Sequence, residues 1–165
     1  MSVASLNQSE VHAMLDYDDP EIEAQWFAER RTEVSRYLAK EGVVHGQIEA
    51  EPAWHLAPYV SVWAVEGLAA GSAGWWAISG DLPSDFVSAT NARHPREAIS
   101  AIASLWKEAA QYMARGERHP TFVIGSGENN EELAPVLASR AELLLEWVKD
   151  AELWKENEPM PTDQP

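Results

Sequence analysis

Residues Val60–Asp85 read VSVWAVEGLAAGSAGWWAISGDLPSD: two short runs of β-branched and aromatic residues on either side of a glycine- and alanine-rich connector. Three of the chain's eight tryptophans, Trp63, Trp75 and Trp76, fall inside it. The runs predict strands at Tyr59–Glu66 and Gly74–Ser79. Alternation puts Val60, Val62, Ala64 and Glu66 on one face of the first and Tyr59, Ser61, Trp63 and Val65 on the other. The connector Gly67–Ala73 suits an antiparallel pair. A third strand, Asp85–Ala89, is expected after a Leu82-Pro83 turn. Trp75 and Trp76 are neighbours, so they point to opposite faces. An enclosed tryptophan buries about 150–250 Å², so this concentration marks either the centre of a core or an aromatic recognition surface.

Helices are expected around this sheet. Asp18 or Asp19 as N-cap, Pro20 at the first helical position, Glu21 and Glu23 at the positive end of the dipole and Gly42 as the stop define the first. Its stripe is Ile22, Trp26, Phe27, Val34, Tyr37 and Leu38. Pro95 opens a second helix, with Ile99, Ile102, Ala103, Trp106, Ala109, Ala110 and Met113 inward and Gly116 at its end. The third starts between Glu131 and Pro135, presents Leu133, Val136, Leu137, Ala141, Leu144, Trp147 and Val148, and ends near Asp150. Trp106 and Trp147 are expected in one core. Pro52 and Pro58 make Val43–Tyr59 a loop with a short extended piece at Val43–Ile48. A short helix is read in Ser5–Asp16, and Arg118–Gly127 is read as extended and then turning, mobile at Gly125–Gly127. These elements define one α+β domain over residues 1–154, a small antiparallel sheet of two to three strands packed by three main helices, followed by a proline-rich disordered tail at 155–165.

With no cysteine, disulfides, thiolate metal sites and cysteine nucleophiles are excluded. The N-terminus lacks the basic and apolar regions of a signal peptide, and no apolar run approaches the roughly 20 residues that span a bilayer, so a cytoplasmic protein without membrane association is expected. Twelve basic against 27 acidic side chains give a net charge of −15. Such a field repels phosphate backbones, and Arg30, Arg31 and Arg36 are interleaved with Glu29 and Glu33 rather than forming a basic stripe, which argues against nucleic acid. The same field steers a basic protein partner toward the chain.

No motif announces a reaction. Gly74–Pro83 lacks both phosphate-loop patterns, Gly125-Ser126-Gly127 is followed by an acid, Glu128, G-x-S-x-G is absent, and the five histidines show no metal-ligand spacing, so no cofactor or metal is expected. What remains are candidate binding residues. Trp75 and Trp76 form an aromatic surface that Trp54 and His55 would line at its edge. Asp81 and Asp85 flank Pro83 and are either a carboxylate pair or a turn with a structural ion pair to a buried arginine, for which Arg30 and Arg140 are the candidates. His94 sits at the entry of the Pro95 helix.

Val60–Asp85, the helix start RHPREAI at Arg93–Ile99 and LAPVLASRAELLLEW at Leu133–Trp147 together resemble an uncharacterised family of small bacterial proteins, classed as a domain of unknown function, over about Ile22–Trp154. The resemblance implies a bacterial cytosolic protein. The WWAISGD segment in a small acidic α+β protein is also similar to bacterial immunity proteins. The function expected is a non-catalytic binding protein, immunity-like or regulatory, that recognises a partner through an acidic surface. The alternative is an enzyme or small-molecule binder with a pocket at the sheet end formed by Trp76, Asp81, Asp85 and His94.

Overall fold

In a computed structural model, residues 15–69, 74–120 and 130–155 are described. They form three α-helices and one four-stranded antiparallel sheet, an α+β fold. The elements are α1 (Pro20–Lys40), β1 (Trp54–Leu56), β2 (Val60–Val65), β3 (Trp75–Gly80), β4 (Leu82–Ser88), α2 (Pro95–Ala114), α3 (Asn130–Lys149) and a 3-10 turn (Ala151–Trp154). The short helix expected before Asp16, the Gly125–Gly127 segment and the tail beyond Lys155 lie outside the described residues. By internal contacts the chain divides into two compact units, Met1–Pro95 and Arg96–Pro165.

The first unit holds α1 and the sheet. The Asp19 carboxylate accepts from the Glu21 N–H at 2.9 Å, and Pro20 follows it, because a proline costs nothing where no helical partner exists for its missing N–H. At the other end Gly42, at φ 72°, lets the Val43 N–H reach back to the Leu38 carbonyl at 2.9 Å. Gly42 itself donates to Ala39, which completes a Schellman stop. The strands lie in the order β1-β2-β3-β4. The register pairs Trp63 with Ala77, Ala77 with Phe86, and Val65 with Trp75. That row faces α1, whose Val34 and Leu38 bury with Trp63, Val65, Ala77 and Ile48 in one cluster. The opposite face carries Val60, Val62, Ile78 and Trp54, which are buried as well. β2 is thus enclosed on both faces, which is why it reads as a continuous apolar run rather than a polar–apolar alternation.

The sheet has four strands, not two or three. β1 was expected to be loop because Pro52 and Pro58 bracket it, but three residues between two prolines suffice for an edge strand paired on one side only. Its approach is extended too, with Ile48 bridged to Val65 and the Glu49 N–H bonded to the Ala64 carbonyl at 3.1 Å. β4 starts at Leu82, three residues before the expected position, and runs through Pro83. An edge strand tolerates a missing donor, and the register slips between Ile78 and Gly80 to accommodate the turn.

In the second unit, α2 buries Ile99, Ile102, Ala103, Trp106, Ala109, Ala110 and Met113, as its periodicity requires. It closes on Gly116 at φ 69° with the same paired return bonds, Glu117 to Tyr112 and Gly116 to Met113. α3 corrects the expected stripe. Its inward residues are Ala134, Leu137, Ala141 and Leu144, whereas Leu133 and Val136 are 45% and 56% exposed. The apolar residues of α3 span more of its circumference than one contact face covers, and the small methyls of Ala134 and Ala141 permit the closer approach. Trp147, expected in the core with Trp106, is only half-buried. The residue enclosed instead is Trp154, which the 3-10 turn swings inward after Asp150 caps it by accepting from the Glu152 N–H at 3.1 Å. Its indole N–H then donates to the Trp147 carbonyl at 2.9 Å, and Arg96 Nε donates to the Val148 carbonyl at 2.8 Å. Two side chains thus bond carbonyls of the last turn of α3.

Candidate functional site

A set of bonded polar groups lies between α1 and β4. Asp85 is 5% exposed. Its carboxylate accepts from the Phe86 N–H at 2.8 Å and from the Tyr37 hydroxyl. One α-helical turn earlier on α1, Glu33 accepts from the Ser84 hydroxyl at 3.5 Å and pairs with Arg30 at 3.0 Å; Arg30 also lies 3.8 Å from Glu29. Residues 30, 33 and 37 fall on one side of the helix by their three- and four-residue spacing. A polar seam therefore runs down α1 beside β4, with the Tyr37 ring packed against Phe86 at 6.1 Å between centroids. Arg30, one of the two arginines considered for the acid of β4, serves the acids of its own helix.

Burial pushes the Tyr37 hydroxyl well above its ordinary value, and the Asp85 charge raises it further. A phenol held in this way stays protonated at neutral pH and donates; it does not abstract protons there. Because its folded value exceeds the ordinary unfolded value of about 10, the stabilisation is complete below that pH and is lost as pH climbs toward the folded value. Urea titrations from pH 8 to 11 should show the parent chain losing stability more steeply above pH 10 than Tyr37→Phe. Parallel curves would show that Tyr37 does not titrate with folding.

The remaining candidates are distributed by strand alternation. His55 of β1 lies opposite Ser61, on the α1 side, with its ring edge-on to Phe27 at 4.8 Å and its Nε2 3.6 Å from Glu23. Trp75 is on that side too, packed against the α1 cluster. Trp54 and Trp76 share the other face: Trp54 pairs with Val62 and is buried, and Trp76 pairs with Ala64 and donates its indole N–H to the Ala92 carbonyl at 2.8 Å. Trp75 and Trp76 do point to opposite faces, and each is half-buried. Asp81 occupies the β3–β4 turn, where its N–H donates to the Tyr59 carbonyl at 2.9 Å. At about 3.3 Å per residue, Trp76 and Asp81 stand roughly 16 Å apart along the strand. His94 follows Ala92 at the Trp76 end, and Asp85 pairs with Ile78 in the body of the sheet. The four residues do not meet at one sheet end.

Two groups escaped the sequence reading. Ser61 and Trp63 form a buried relay in which the Trp63 indole donates to the Ser61 hydroxyl at 2.8 Å, and that hydroxyl donates to the Ser79 carbonyl at 2.8 Å. Arg31 reaches from α1 to the carbonyls of Ile48 and Glu49 at 2.6 and 2.9 Å. The first had a signal in the period-two placement of serine beside tryptophan on one face; the second had none. Among the described residues no cluster of three histidine or acidic side chains is arranged to hold a metal ion, and no helix is long and apolar enough to cross a membrane.

A family model described as a domain of unknown function (DUF4826) matches residues 21–154. The chain belongs to this family. The match runs from the first turn of α1 to Trp154, so the DUF4826 region takes in α1, the sheet, α2, α3 and the final turn. No curated protein and no solved structure matches the chain.

Proposed function

We propose that this DUF4826 chain is a non-catalytic binding protein of the bacterial cytosol that recognises a more basic protein through its acidic surface. The observation that carries this reading is where the cations go. Arg30 is held by Glu33 and Glu29, and Arg31 by two backbone carbonyls. Arg96 is held by Val148 and lies over the Trp154 ring at 5.9 Å, Arg115 by Glu117 and the Tyr112 ring, and Lys155 by Glu152. With only twelve cations against 27 acids, and these five each bonded to a partner in the same chain, the net field is negative. A regulatory or immunity-like task, in which a basic surface on another protein is covered, uses such a field directly. The Tyr37–Asp85 pair, fixed in a donating state, supports a scaffolding role over acid–base chemistry.

The test is kinetic. A partner captured from bacterial lysate at low salt should associate with an on-rate that falls as the Debye length shrinks from about 10 Å at 0.1 M to about 3 Å at 1 M salt. Reversing exposed acids, with Asp18→Lys, Glu49→Lys and Glu51→Lys combined, should slow association several-fold at low salt. Asp85 is unsuitable for this purpose because it is buried. Salt-independent association that tolerates the triple reversal would overturn the reading.

A further inference from the structure

We propose that the cavity beside the first turns of α1 is a binding site for a small, flat, uncharged ring that carries a carbonyl next to an N–H, the edge of a lactam. The proposal stands apart from the acidic-surface reading. The cavity has a volume of about 150 Å³ and is lined by Leu15, Tyr17, Ile22, Gln25, Trp26 and Glu29. A hollow of that size accepts one six-membered ring. Its walls suit such a ring: Leu15 and Ile22 are aliphatic, and Tyr17 meets Trp26 edge to face at 6.1 Å between centroids.

The observation that points to a ligand is at Trp26. The residue is 2% exposed, yet its indole N–H has no acceptor among the described residues. Other indoles of the fold are served: Trp63 donates to the Ser61 hydroxyl, Trp76 to the Ala92 carbonyl and Trp154 to the Trp147 carbonyl. An indole N–H can only donate, and a buried donor without an acceptor is rare, so the cavity that this ring borders calls for an oxygen. Glu29, three residues further along α1, is a neighbour of Trp26 on the helix surface and stands at the exposed rim. Its Oε1 accepts from Gln25 at 3.3 Å, and its Oε2 lies 3.8 Å from Arg30. Arg30 balances that charge, so Glu29 asks of a ligand a donor and not a second cation, and each carboxylate oxygen keeps a lone pair for it. An anion is disfavoured by the same acid and by the chain's −15. A plain hydrocarbon ring suits the walls but leaves Trp26 unanswered. A lactam edge, with acceptor and donor on neighbouring atoms, answers Trp26 and Glu29 together.

The probe is α-pyridone, compared with N-methyl-α-pyridone, which lacks the donor, and toluene, which lacks both polar groups. Each is titrated into the isotope-labelled full chain while the indole N–H cross-peaks are followed in proton–nitrogen correlation spectra, where Trp26→Phe identifies the Trp26 peak by deleting it. α-Pyridone should move that peak downfield and saturably, with a Kd of about 0.1–1 mM, as suits a ligand of so few atoms. N-methyl-α-pyridone should bind at least about tenfold more weakly, because it loses the bond to a charged acceptor. In Glu29→Ala, a change at an exposed position, the two pyridones should bind alike. Toluene should not move the Trp26 peak downfield. The proposal is overturned if no saturable shift develops by about 10 mM, if a different indole responds, if the three compounds bind equally, or if the gap between the pyridones survives Glu29→Ala. It is overturned too if the Trp26 N–H cross-relaxes with a long-lived water that α-pyridone does not displace, since the missing acceptor would then be an ordered water only.

Discussion

Trp106→Ala should cost about 3–5 kcal/mol of folding free energy, and Trp147→Ala no more than about 2. Trp106 is fully enclosed among the inward residues of its unit, so its removal loses the whole transfer energy of an indole and leaves a void the neighbours cannot close. Trp147 is half-buried, and its backbone carbonyl, which accepts from Trp154, survives the substitution. Urea titration of the two variants separates these cases. Equal losses would place Trp147 in the core after all.

Asp85→Ala should cost about 2–4 kcal/mol, because it strands the Tyr37 hydroxyl and the Phe86 N–H away from water, and each orphaned donor costs about 1–3 kcal/mol. Asp81→Ala should cost less than Asp85→Ala, since Asp81 is not buried and the turn's bond to the Tyr59 carbonyl, made by its backbone, survives. Guanidinium unfolding of both variants checks the contrast. Similar values for the two would mean that the acids act as a pair, against the register that separates them.

The helices were legible because their boundaries are chemical. Asp19-Pro20 and Gly42 punctuate α1, and Pro95 and Gly116 punctuate α2, whatever lies around them. β2 and β3 were legible for the same local reason. β1 was not, because its existence depends on β2 offering an edge to a segment whose prolines argue the other way. The inward face of α3 was ambiguous because Leu133, Val136, Leu137 and Leu144 form two overlapping stripes, and only packing selects between them. Trp154 was missed because its burial follows from a turn of four residues capped by Asp150, too short to leave a periodic signal. At the polar seam the sequence named Asp85 and called for a buried counterpart. It did not show that Tyr37, on the apolar stripe of α1, would supply the hydroxyl, since a tyrosine on a core stripe looks the same whether its tip is bonded or idle.

The prolines that hid β1 have an effect beyond the monomer. Both borders of the sheet carry residues that cannot donate to an added strand: Pro52 and Pro58 flank three-residue β1, and Pro83 lies in β4. A sheet with a well-filled hydrophobic interior is a ready template for runaway cross-chain pairing if its borders are long and regular. Here one border is too short and the other has a gap in its row of donors. The chain should therefore resist fibril growth when crowded, and Pro83→Thr is the substitution that would weaken that resistance.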